Sequence, residues 1–327
     1  MALEHQGRGS SRGFGFLAVA VLGLVGCSSV EKLAIKKVAA SLGSGSVVFA
    51  QDDDPELVGQ ALPATLKLTE VMLQKAPEDR NLLLAACSGF TQYAYAFVDT
   101  EAFFIEPEDF LRARELETRA LKLYLRAQGY CMEGLTLVRP GIDKELQLAP
   151  ERAAARLGKE HLDLMFWTAA SWGAAIAKGQ NRPELTADLP AVRSLLERAL
   201  ALDETYQGGA LHEAMITLEA LPKALGGSEE KAREHFGRAV ELSGGRSAGA
   251  YVTLARTVAV ANQQRAEFES LLRSALAVDV DAEDGRNRRL ANVLAQRQAE
   301  ELLRRADDYF FAAEEEPESP ASEGETP

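Results

Sequence analysis

From residue 52 to about residue 312 the apolar side chains recur with a helical period, and no stretch shows sustained alternation bounded by hairpin turns. A chain patterned this way can bury its apolar faces only by packing helix on helix. Pro63, Pro77, Pro107, Pro150, Pro183, Pro190 and Pro222 fall between apolar-periodic segments or at their starts. Gly129, Gly179, Gly226-Gly227 and Gly244-Gly245 fall near segment ends, where helices stop. The body should open at Asp54-Pro55-Glu56, with Asp54 as N-cap, Pro55 in the first helical position and Glu56 complementing the dipole. Three aspartates in a row also suggest a cation site, but no spaced carboxylate loop follows them. The expected fold is all-α.

The second half repeats itself. Val192, Leu196 and Ala199 share a spacing with Ala232, Phe236, Ala239 and with Phe268, Leu272, Ala275. The three alanines stand 40 and 36 residues apart. Ala120, Tyr124 and Ala127 form a fourth candidate triplet. This spacing is that of the second helix of a tetratricopeptide (TPR) repeat, whose period is about 34. Positions four and three apart line one stripe, and a small Ala lets the neighbouring helix approach. A TPR-like helical array, as a solenoid or bundle, is therefore expected. The Trp and Gly usual on the first helix of that repeat are missing. The last segment, Gly285 to Phe311, reads as one long amphipathic stretch with Leu290, Val293, Leu294, Leu302, Leu303, Ala306 and Phe310 on a face and its arginines in solvent.

The start of the chain carries a different signal. Arg8 and Arg12 precede a twelve-residue apolar run, Phe14 to Val25, then Leu24-Val25-Gly26-Cys27. That order is an export signal with a Cys at the cut, the mark of a lipoprotein. The alternative is a plain secretory signal with a chance Cys. The run is shorter than the roughly 20 residues needed to span a bilayer. Residues 1–26 would be removed, Cys27 lipidated, and 27–50 would link the anchor to a body at 51–312. Within that linker Glu31 to Leu42 reads as a short amphipathic helix ended by Gly43-Ser44-Gly45-Ser46. Ser28 after the Cys leans toward the outer membrane over the inner one. Residues 313–327 are acidic and lack large apolar side chains, so they are expected to stay disordered.

The net charge is −13, and −14 once Arg8, Arg12 and Glu4 depart. Such a body is ill suited to nucleic acid, whose phosphates demand basic stripes. Cys87 and Cys131 both lie in helical patterns of a chain bound for a disulfide-permitting compartment. Buried thiols are the preferred reading, and a disulfide stays open.

No chemistry-bearing constellation is legible. His212-Glu213 continues as Ala-Met-Ile, so it is not a zinc-binding HExxH helix. His161 and His235 stand apart from it in sequence, and no Ser sits in a Gly-x-Ser-x-Gly setting. Ser243-Gly244-Gly245-Arg246-Ser247 lacks the Lys-Ser/Thr of a phosphate loop and reads as a helix stop with a new cap at Ser247, an anion nest being the alternative. The expectation is a protein without enzymatic activity, cofactor or metal. The aromatic residues are more suggestive. Phe90, Tyr93, Tyr95 and Phe97 crowd one segment, and Phe166, Trp167 and Trp172 another. Trp167 and Trp172 point about 140° apart on a helix, so they need not share a pocket. Core packing is the ordinary role of such rings, and lining a groove for an apolar ligand is the other. Phe90, Tyr93, Phe97, Trp167, Trp172, His212 and Tyr251 are the candidate ligand-lining residues.

Several blocks together resemble one family: 52–84 (DDDPELVGQALPATLKLTEVMLQKAPEDRNLLL), 89–98 (GFTQYAYAFV), 166–177 (FWTAASWGAAIA), 189–203 (LPAVRSLLERALALD), 208–213 (GGALHE), 231–255 (KAREHFGRAVELSGGRSAGAYVTLA) and 289–303 (RLANVLAQRQAEELL). They are similar to the TatT component of TRAP transporters, a tetratricopeptide-containing lipoprotein of the periplasm. The resemblance implies an accessory protein that partners a periplasmic solute-binding subunit and tends to trimerise. It also implies a hydrophobic hollow suited to an apolar or amphipathic cargo. A TPR scaffold lipoprotein for outer-membrane protein assembly is the competing function. The lipoprotein reading has a direct check: the chain should incorporate labelled palmitate and a Cys27→Ala variant should not. Equal labelling of both, or of neither, rejects it.

Overall fold

A computed structural model describes residues 47–179 and 181–311. The export signal, Cys27, the Glu31–Leu42 segment and the acidic tail lie outside the described residues. Among the described residues the fold is all-α, without a strand. The chain divides into two compact units, one up to Asp203 and one from Glu204.

The first unit begins with α1 (Pro55–Lys75). The Asp54 carboxylate accepts the Leu57 N–H at 2.9 Å and Pro55 takes the first position, so the expected cap is formed. Pro63 departs from expectation: it sits inside α1, where it has no N–H to offer the carbonyl of Gly59. Helix α2 (Arg80–Ala94) is capped by Asp79, whose side chain accepts from Asn81 and Leu82. It runs through a π-turn, Tyr95–Asp99, into α3 (Thr100–Ile105). After a four-residue turn, α4 (Phe110–Val138) starts on Asp109, which accepts the Arg112 N–H at 2.9 Å. Gly129 lies within α4 and does not end it. A single Gly costs a helix interior only about 1 kcal/mol, which the packing of so long a helix outweighs.

The π-turn has a packing logic. Ala86, Phe90, Ala94, Val98 and Ala102 are all buried, one every fourth residue. At 3.6 residues per turn a strict four-residue repeat drifts about 40° each time, or about 160° over this stretch. One extra residue absorbed in a wide turn brings the drift back to about 60°, so the line stays on the core side.

That core has two contiguous parts. Leu66, Met72 and Leu73 of α1 meet Leu82, Leu83, Ala86 and Phe90 of α2 and Ala127 of α4. Ala94, Val98 and Ala102 meet Ala113, Leu116, Ala120, Leu121 and Tyr124 of α4. Each fully buried Leu contributes about 1.5–3 kcal/mol. A Cβ on Gly89 would stand 2.6 Å from Leu66 Cδ2, so any larger residue there would displace the Leu66 side chain between α1 and α2. Cys87 and Cys131, both fully buried, are joined in a disulfide with a Cα separation of 5.2 Å, within the usual range. This corrects the preference for free thiols: α2 and α4 pack side by side and bring the two positions together. The unit continues through α5 (Ile142–Leu148), α6 (Pro150–Ala154), α7 (Leu162–Lys178), α8 (Pro183–Thr186) and α9 (Leu189–Leu202).

The second unit contains α10 (Ala210–Glu219), α11 (Glu229–Ser243), α12 (Ala248–Leu254), a second π-turn (Ala255–Ala259), α13 (Arg265–Leu276) and α14 (Arg289–Arg304). Gly244 and Gly245, both with left-handed φ, stop α11 through Gly244 N–H to Glu241 O and Gly245 N–H to Val240 O. Ser247 stands at the N-cap of α12 without a side-chain cap bond. Asn292 does that work instead: its Oδ1 accepts the Ala248 N–H at 3.0 Å and its amide donates to Arg246 O at 2.9 Å. The expected long segment at Gly285–Phe311 is broken, with a 3₁₀ stretch at Glu283–Arg288 before α14 and a 3₁₀ turn at Ala306–Asp308 after it. Its arginines are not all in solvent. Arg288 bonds Glu213 at 3.0 Å and the Gly208 carbonyl at 2.8 Å, because the backbone at 207–209 turns through positive φ and exposes its carbonyls. Each repeat triplet lies on one helix (α4, α9, α11 or α13), and all twelve of its residues except Phe236 are buried.

The disulfide closes a span of 44 residues, which in the chain-entropy view stabilises by about 4 kcal/mol. A Cys87→Ala/Cys131→Ala chain should unfold at distinctly lower urea concentration with helical circular dichroism retained, and an unchanged midpoint would contradict this weight.

Candidate functional site

The aromatic candidates of the first unit assemble around α2 and α4. The Phe90 ring stacks on Tyr130 with centroids 6.0 Å apart, and Arg126 lies 5.3 Å over it. The Tyr130 hydroxyl donates to Glu70 Oε1 at 2.8 Å. Burial, then this bond and the Glu70 charge, push Tyr130 up to about 12. Glu70, held also by Lys67 and Arg126, stays ionised below its ordinary range despite its burial. Tyr93 and Phe97 meet across the π-turn at 5.9 Å. Arg119 covers Tyr93 at 5.8 Å and donates to its hydroxyl at 3.2 Å. The Phe97 ring fills the space beside Gly59, where a Cβ would stand 2.8 Å away. These rings pack where α1, α2 and α4 meet, and Phe90 and Tyr93 are each covered by an arginine.

Trp167 and Trp172 are not brought together with them in one lining. Trp167 is half-buried and meets Phe166 edge-on at 5.0 Å. Trp172 is buried, and its indole N–H bonds the Asp188 carboxylate, whose pKa burial raises against that bond. At the end of the π-turn, Asp99 accepts the Tyr124 hydroxyl at 3.1 Å and pairs with Lys178 at 2.6 Å. Lys178 also reaches Glu117 at 3.4 Å.

In the second unit His212 and His235 face each other, Nδ1 to Nδ1, at 2.8 Å. One imidazole must donate and the other accept, so both cannot carry a second proton in this arrangement. His212 Nε2 is buried, with Glu204 Oε2 at 3.7 Å. That carboxylate favours the tautomer with a proton on Nε2, which makes His212 Nδ1 the acceptor and His235 the donor. Burial, then His235 and Arg238, lower the His212 pKa, while Glu204 opposes them. Tyr251 packs edge-on against Phe236 at 5.4 Å. His212 and Tyr251 thus rest on successive residues of α11. His161 is elsewhere, its Nδ1 accepting the Gly158 N–H at 3.1 Å.

A cavity of about 380 Å³ opens in the second unit between the end of α10, the loop to α11 and the second π-turn. Glu219, Leu221, Lys223, Ser228, Val258 and Asn262 are among its lining residues. None of the seven candidate residues lines it. Sequence reasoning passed over Tyr130, Arg119 and Arg126. They had a signal: they recur at intervals of seven and four on α4, hence on one face. His235 was weighed among the histidines, but its contact with His212 depends on where α10 lies. Among the described residues no group of three or more His, Cys, Asp or Glu is placed to hold a metal ion.

The described residues thus form an all-helical scaffold in which Phe90 and Trp172 are buried in the core and Tyr93, Phe97, Trp167 and Tyr251 are half-buried. A family model for the TRAP transporter T-component matches residues 51–310, and the chain belongs to that family. It is 30% identical over 269 residues to an uncharacterized protein of Treponema pallidum (strain Nichols), covering 81% of this chain and 83% of that one. Membership makes it an accessory component of TRAP-type transport.

The lowered His212 pKa carries a sign. In the unfolded chain the imidazole titrates near its ordinary 6.5, while in the fold it holds a proton less readily. Its neutral-state stability is present above that value and is lost as pH falls through it. Urea midpoints should therefore drop between about pH 7.5 and 5.5, and a His212→Asn variant should show a shallower drop; parallel pH curves for the two chains would refute the assignment.

Proposed function

We propose that the chain is a non-enzymatic lipoprotein that binds the periplasmic solute-binding subunit of a TRAP system and contributes to passing on an apolar or amphipathic solute. The family match across 51–310 carries this reading. The buried Cys87–Cys131 disulfide supports a site outside the reducing cytoplasm. Among the described residues no helix is long and apolar enough to cross a membrane, so attachment falls to the lipid on Cys27, at the outer membrane if Ser28 directs it. An acyl chain contributes about 0.8 kcal/mol per buried CH₂, and more than one chain makes the anchor stable. The body at 51–312 is read as a TPR-like array. Buried small residues at Ala199, Ala239 and Ala275 support that reading, since they allow the close helix pairs such an array needs. In this reading 27–50 is the tether, 313–327 a solvated tail, and the chain a homotrimer.

Phe90, Trp172 and Tyr124 are committed to packing, so the solute-facing rings among the candidates are the half-buried ones: Tyr93, Phe97, Trp167 and Tyr251. The lipid-free chain should co-purify with the solute-binding subunit of its own system at micromolar concentration. Native mass spectrometry should report three copies of it. A chain that binds no such subunit at that concentration would overturn the reading.

A further inference from the structure

We propose that the tip joining α3 to α4, residues 101–111, is the face that docks the solute-binding subunit, and that it enters an apolar pocket rimmed by Lys and Arg. This rests on the function proposed above and adds the contact face to it.

Three observations converge on the tip. First, it shows apolar side chains to solvent. Phe110 is 54% exposed and Leu111 77%, adjacent in the first turn of α4. Phe103 and Phe104 stand half-buried beside them in sequence, with their rings 5.4 Å apart. Single exposed apolar residues are ordinary, but adjacent large ones ringed by charge resemble the anchors of interfaces.

Second, the tip is electrically one-sided. Residues 101–111 hold Glu101, Glu106, Glu108 and Asp109, all exposed, and no basic residue. The next basic residues in sequence are engaged: Arg112 pairs with Glu115 and Arg114 with Glu117, each at 2.7 Å, and Arg114 also feels the charge of Glu106. Arg114 also lies 5.2 Å over the Phe110 ring and fixes it. Four carboxylates around apolar side chains select a partner of opposite charge and disfavour an anionic lipid surface.

Third, the tip is preorganised. The π-turn leading into it is tied to α4 by the Tyr124–Asp99 bond, and further back α2 is joined to α4 by the Cys87–Cys131 disulfide. The turn is closed by Glu108 N–H and Asp109 N–H, both donating to Ile105 O, and by the Asp109 cap. Little chain entropy remains to be lost on docking, so a small apolar contact can yield useful affinity.

The test measures binding of the intact chain to the solute-binding subunit by surface plasmon resonance at two salt concentrations. A Phe110→Ser/Leu111→Ser chain should bind about tenfold more weakly or worse. A Glu106→Lys/Glu108→Lys chain, altered only at exposed positions that leave the Asp109 cap intact, should associate more slowly and lose the salt dependence. Wild-type affinity in both variants, with the unaltered chain binding, would reject the tip while leaving the proposed function standing. An unaltered chain that fails to bind the subunit removes both. A fall in subunit number of the Phe110→Ser/Leu111→Ser chain would show the tip to be a self-contact and overturn the proposal.

Discussion

The close approach of α2 and α4 is the constraint on which the first unit depends. Alanines at 86, 94, 120 and 127 leave no side-chain bulk between the helices, and Cys87–Cys131 makes the approach covalent. Everything around it is placed by that pair. Phe90 meets Tyr130 because their helices are locked at this spacing. Asp99 meets Tyr124 because the π-turn delivers it to the same side. Lys178 then joins from α7, and its charge is balanced by Asp99 and Glu117. Small core residues and aromatic margins thus divide the labour: the first set the distance, and the second fill what the distance leaves.

The second unit reaches order by different means. It has no cross-link among its described residues, and its joints are polar. Asn292 spans the end of one loop and the start of α12, and Arg288 ties the 207–209 turn to Glu213. Such bonds hold direction as well as distance, because each donor and acceptor has a fixed geometry. The His212–His235 contact belongs to this group and differs in one respect: protonation can change it. That contact gives the second unit a response to pH that the Cys87–Cys131 disulfide of the first does not have.

Much of this was legible in the chain itself. The absence of alternation, the Asp54 cap, the Gly244-Gly245 stop and the repeat triplets depend on neighbours within a few residues, and local chemistry decided them. What escaped reading depends on distant neighbours. Pro63 was expected at a boundary because propensity disfavours it within a helix, but tertiary packing carries α1 through it. Gly129 was expected to end a helix for the same reason. Cys131 was indistinguishable from a buried thiol until α4 was set against α2. Arg288 looked like one solvated charge among many, yet the carbonyls it binds lie about eighty residues upstream. The crowding of aromatic residues is visible in the chain, but whether a ring packs or waits for a ligand depends on what covers its far side, and linear order does not contain that.

The π-turn at Tyr95–Asp99 has a consequence for how this chain tolerates change in length. A wide turn takes up one surplus residue without rotating the helix that follows. Excision of one amino acid within it would tighten the turn to an ordinary α-helical one and leave Phe90 and Ala102 on their present sides. The same excision a few positions earlier would swing every later side chain by about 100°. The five residues are therefore a point at which the chain can lose a single residue while the surrounding helices keep their phase.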